Sequence, residues 1–110
     1  MSSRIKHNDD VYHTAWWVIN ETLDFDQGTF KFETGWYIVR SLGYDGKTAA
    51  CELVSPEGEN GIQYKVSELF TNKTEAMAYA MAQALKSKYN AFIDPDELKI
   101  YKELHPERFI

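Results

Sequence analysis

From Thr14 to Ile19 the chain reads TAWWVI, aromatic and β-branched with no charge, and this predicts a strand. The residues before it are polar, so 1–12 are expected to stay loose and the strands to fall within 14–70. DFDQGT reads as a turn or loop, and FKF after it as a short alternating strand. GWYIVRSLGY then runs to Asp45-Gly46 and returns as KTAACELVS. Asp-Gly between two apolar runs predicts a hairpin, because both central residues of the tightest such turn take positive φ. Pairing outward from that turn sets Leu42 opposite Ala49, Arg40 opposite Cys51 and Ile38 opposite Leu53. Trp36, Ile38, Leu42, Ala49, Cys51 and Leu53 then share the expected core face, leaving Tyr37, Val39, Ser41, Ala50, Glu52 and Val54 on the other. PEGENG makes a second turn, and IQYKV alternates as a further strand with Ile62, Tyr64 and Val66 on one side.

The period changes after Leu69-Phe70. Asn72 followed three residues later by Glu75 resembles a capping box, and strong helix formers follow, predicting a helix over 72–89. Its apolar face gathers Met77, Ala80, Met81, Ala84 and Leu85, with Glu75, Tyr79, Gln83 and Lys86 opposite. Asp94 as cap and Pro95 at the first helical position open a second helix over 95–104. The expected fold is therefore α+β: an antiparallel sheet of about four to five strands followed by two C-terminal helices. Two forms of the sheet stay open, a curled partial barrel of the SH3-like or OB-like sort and a flat sheet crossed by the long helix.

At 110 residues the chain suits one domain, 1–110, and its 44% hydrophobic content suffices for a core. Twelve basic against 17 acidic residues leave a net charge of -5, which argues against a dedicated binder of nucleic acid or anionic membrane. The one cysteine, Cys51, forms no disulfide within the chain. No apolar run follows the charges of MSSRIKHNDDVYH, and no stretch of about eighteen apolar residues is present, so the expected location is cytoplasmic.

The motifs that carry chemistry fall short one by one. SLGYDGKT ends like a phosphate-binding loop, but the required first glycine is Ser41, and KTAACELVS after it reads as strand where a helix is needed. In DFDQGTFKFE, Asp24 and Asp26 hint at a calcium loop, yet Gly28, Thr29 and Gly35 stand at the loop's fifth, sixth and twelfth positions. His7, Asp9, Asp10 and His13 are metal-ligand types in a segment with no third histidine near, and His105 lies at a helix end. Cys51, mid-strand beside Arg40, reads as a buried thiol in preference to an activated one. No catalytic residue, cofactor or metal is expected, and the chain is read as a non-enzyme.

The aromatics remain. Trp16 and Trp17 are adjacent on a strand, as are Trp36 and Tyr37, so each pair diverges to opposite faces. An interaction surface of Trp16, Trp17, Tyr37, Val39 and Tyr79 is expected, with helices covering the second face as the alternative. YKVSELFTNKTEAMAYA, strand then cap then helix, resembles a pattern of small bacteriophage and mobile-element proteins. It spans the middle third of the chain and consists of a cap and packing alanines, so no residue role carries over. The resemblance implies an accessory or host-directed protein, acting in the host cytoplasm. The expected function is a small protein-binding accessory that inhibits or redirects a host protein. Two alternatives stand beside it. One is a single-stranded nucleic-acid module stacking bases on sheet aromatics, guided by Lys31, Arg40, Lys47 and Lys65. The other is a self-associating structural subunit, a homodimer.

Overall fold

The computed structural model describes residues 5–19, 28–55, 61–89 and 91–110. Four antiparallel strands follow one another in spatial as well as chain order: β1 (Asp10–Ile19), β2 (Gly28–Leu42), β3 (Thr48–Ser55) and β4 (Ile62–Lys65). A short 3-10 helix, Val66–Glu68, leads to α1 (Lys73–Lys86). Then come a two-residue strand β5 (Ala91–Phe92), α2 (Pro95–Leu104) and a terminal 3-10 helix, Pro106–Phe109. The sheet curls into a half-barrel, as the α+β expectation allowed, and β5 joins it by parallel pairing with Gly28 and Thr29 of β2. The expected turns over 24–27 and 56–60 lie outside the described residues, as do Asp24 and Asp26 of the calcium-like motif.

The hairpin forms where Asp45-Gly46 placed it, but as a wider loop than the two-residue turn. The Gly43 N–H donates to the Thr48 carbonyl at 2.8 Å, and Gly46 takes φ +72 while Asp45 does not turn positive. SLGYDGKT is thus a strand end, a loop and a strand start. Leu42 pairs with Ala49 as expected, and the register then slips: Arg40 bulges out between Val39 and Ser41, so that Val39 meets Cys51 and Tyr37 meets Leu53. One extra residue sends every side chain beyond it to the opposite face.

The consequence is a corrected core. Tyr37 and Val39, expected on the outer face, point inward with Val11, Ala49, Cys51 and Leu69, while Trp36, expected inside, is exposed; Leu42 keeps its expected register with Ala49 and is exposed at the end of β2. Arg40 leaves Cys51 and pairs with Glu52 on the outer face. Burial pushes the Cys51 thiol up, away from an activated state. Tyr37 turns back over Gly35, where an added Cβ would come within 2.8 Å of its ring, and its hydroxyl shares a 3.0 Å hydrogen bond with that of Tyr64. Ile62, Tyr64 and Val66 complete this inner layer on the side expected for them.

Residues 5–13, the described part of the segment before Thr14, join this architecture. β1 starts at Asp10, and Asn8 and Asp9 continue its pairing: Asn8 N–H donates to the Val39 carbonyl, and Val39 N–H to the Asp9 carbonyl. Ile5 and Val11 are buried in the inner core. His7, Asp9, Asp10 and His13 go separate ways. Asp9 accepts from the Lys6 N–H, Asp10 from the Trp36 indole at 3.1 Å, and His13 stacks on Tyr64.

On the outer face of β1 and β2 lies α1, capped as expected by the Asn72 side chain, which accepts from the Thr74 and Glu75 N–H groups. Its Ala76, Ala78, Ala80, Ala82 and Ala84 are buried around Met81, so the helix lies close to the sheet. Asp94 caps α2 in the same way, with Pro95 in its first turn. The sheet therefore has two apolar faces, an inner one closed by its own curl and an outer one under α1.

Candidate functional site

β1 is the edge of the sheet, and its two halves are treated differently. At one end Tyr12 exchanges both backbone hydrogen bonds with Phe70, N–H to carbonyl at 2.7 Å and 3.1 Å. Backbone groups of a strand alternate in direction, so those of Thr14, Trp16 and Val18 leave by the same side as those of Tyr12. Ala15 and Trp17 aim the other way, toward Glu33 and Lys31 of β2. Among the described residues no donor or acceptor meets the outward backbone of Thr14, Trp16 or Val18.

The break comes from the 3-10 helix at Val66–Glu68, which swings the chain away from β1 immediately before the Phe70 bridge. What it leaves is a groove of about 390 Å³ between the open edge and α1. Thr14, Ala15 and Trp16 form its strand side, Ala76, Tyr79, Ala80 and Gln83 its helix side, and His13 with Glu68 its end. Two small alanines on the helix keep the groove open beside the strand.

Electrostatics are concentrated at that end. His13 Nε2 lies 3.9 Å from Glu68 Oε2, with the imidazole largely buried between Tyr64 and Tyr37. Burial lowers the His13 pKa and the Glu68 charge raises it, burial being the stronger influence, so the ring is neutral at pH 7. Glu68 thus contributes a negative charge to a groove that is otherwise uncharged.

A clamp fixes the closed end. Arg108 Nε and a terminal nitrogen both donate to Glu75 Oε2, and the guanidinium sits 4.9 Å from the Phe70 ring centre. Phe70 in turn packs on Tyr79 at 5.1 Å. His105 Nε2 meets Thr74 Oγ1 at 2.7 Å, tying the C-terminal segment to the first turn of α1.

Of the five residues expected to form one surface, the structure brings together two. Trp16 and Tyr79 both line the groove, Trp16 also resting edge-on against Phe30 and Tyr89. Trp17 is on the opposite face of β1, 41% exposed. Tyr37 and Val39 are inside, at 7% and 0%. Burial and the Tyr64 hydrogen bond push the Tyr37 hydroxyl up, so it stays protonated. Glu68, His13 and Gln83 were not singled out for this role. The clue to Glu68 is the polar Ser67-Glu68 pair that ends the alternation of IQYKV before Leu69, a local break whose partner strand is distant in sequence.

Comparison with known protein families, with curated proteins and with solved structures finds no match for this chain.

Proposed function

We propose that this chain is a non-enzymatic protein-binding module that takes an extended segment of another protein along the open edge of β1, beside α1. The observation that supports it is the row of outward backbone groups at Thr14, Trp16 and Val18, of which Thr14 and Trp16 line a groove and Val18 continues the same edge. Sheet edges in natural proteins are guarded by charge, proline, bulges or cover, and an unguarded apolar edge invites another strand. Thr14–Ile19 carries no charge and no proline or glycine. Backbone pairing supplies affinity in this recognition mode, and pockets for alternate side chains supply selectivity. Trp16 and Tyr79 are the aromatic walls.

The resemblance of YKVSELFTNKTEAMAYA to phage and mobile-element proteins makes the partner a host protein, inhibited or redirected in the cytoplasm when one of its segments is held as a strand. The nucleic-acid alternative gains no support, since Arg40 is engaged by Glu52 and the groove ends on a carboxylate. The test is selection of a phage-displayed random seven-residue library on the full chain, repeated on Val18→Pro. Proline removes the outward N–H at an edge, where the fold tolerates it. Enriched peptides that bind wild type and lose Val18→Pro, with its circular dichroism unchanged, support the reading. Failure to enrich any peptide, or binding indifferent to the proline, contradicts it.

A further inference from the structure

Resting on the strand-addition reading, we infer that the segment held by this groove carries a lysine or arginine at the position that meets Glu68. Among the described residues no lysine or arginine forms an ion pair with Glu68, and its near neighbour His13 is too distant, at 3.9 Å, for a hydrogen bond. The remaining groove residues are uncharged, so a cation there meets one attraction and no repulsion. The Glu68 side chain is 38% exposed and the His13 ring 16%, leaving the carboxylate beside a surface largely out of water. A charge pair there is worth more than one in free solution.

Geometry sets the position. Phe70 bridges Tyr12 in antiparallel sense, and Glu68 precedes it by two residues on the segment that turns away. An added strand in that antiparallel sense takes the place that segment vacates, so its residue opposite Thr14 lies next to Glu68, and its earlier residues run past Trp16 and Val18. Positions beside Ala76 and Ala80 accept an apolar side chain. The preferred occupant is therefore an extended segment with a basic residue at one end and apolar residues along the rest. A second copy of this chain fits less well: paired edge to edge through β1 it brings Thr14–Ile19, which holds no basic residue.

The library selection tests this directly. Enriched peptides are expected to share Lys or Arg at one fixed position. A synthetic peptide of the leading sequence should bind Glu68→Gln about tenfold more weakly than wild type, the size of one charge-assisted hydrogen bond. Glu68→Lys should prefer the same peptide with Glu in place of the basic residue. Peptides that protect the Thr14, Trp16 and Val18 amides from exchange yet show no basic preference overturn this inference and leave strand addition standing. No enriched peptide, or peptides that leave those amides unprotected, overturns both. A stable dimer in light scattering whose β1 edge is protected without peptide assigns the edge to a second copy and overturns the basic-segment inference.

Discussion

The two ends of β1's outer edge are neighbours along one strand and have opposite fates. At Tyr12 the backbone is paired with Phe70, which is buried, packed on Tyr79 and covered by Arg108 from the C-terminal segment. At Thr14 and Trp16 the same side of the strand faces a groove. The intrinsic chemistry of the backbone is identical at both ends. What differs is the chain opposite: three residues folded as a 3-10 helix remove a partner strand from one end only. Edge protection here is a local decision, and its omission at one end is what the proposed docking site rests on.

Breaking the closed end should have the largest effect. Phe70→Ala removes a buried ring and the platform under Arg108, and thermal or denaturant unfolding should show a loss of about 3–5 kcal/mol. A pair of prolines sharpens the contrast. Tyr12→Pro deletes a paired N–H and should cost about 2–3 kcal/mol, whereas Val18→Pro deletes an N–H with no described partner and should cost about 1 kcal/mol or less. Equal losses would mean the two ends are equally engaged. Arg108→Ala removes the clamp without touching β1. A loss of about 1–2 kcal/mol is expected, with faster amide exchange at Tyr12 and Phe70 and no change at Val18.

The smallest effect is one of pH. Burial holds the folded-state pKa of His13 below its ordinary value of 6.5, so below that value the unfolded chain takes up a proton that the fold resists. The His13 contribution to stability is complete above pH 6.5 and declines as pH falls through 6.5 toward the folded-state pKa. In His13→Gln the unfolding midpoint should fall less between pH 7 and pH 5 than in wild type, a difference read by thermal melts.

Much of the fold was legible because local chemistry and tertiary outcome agreed. Asn72 and Asp94 cap helices for the same reason in an isolated peptide as here, and Asp45-Gly46 turns the hairpin where alternation on both sides requires a turn. The face assignment of β2 failed at a single residue. Nothing local marks Arg40 as a bulge: what holds it is Glu52 on the next strand and the Asn8–Asp9 pairing at Val39, both distant in sequence. That slip exchanged Trp36 and Ile38 for Tyr37 and Val39 in the core, and removed two residues from the expected surface. Within the site, alternation correctly parted Trp16 from Trp17. Sequence gives no access to which edge of β1 is open, because that depends on where Val66–Glu68 travels after leaving β4.

Residue-resolved amide hydrogen exchange on the free chain tests most directly whether the outer edge of β1 is open. A sawtooth along β1 is expected: slow exchange at Ala15 and Trp17, which pair with β2, and fast exchange at Trp16 and Val18, with Tyr12 slow again at the closed end. Uniform protection from Tyr12 through Val18 would show the edge already covered in the free protein, and would contradict the proposal that it waits for a partner.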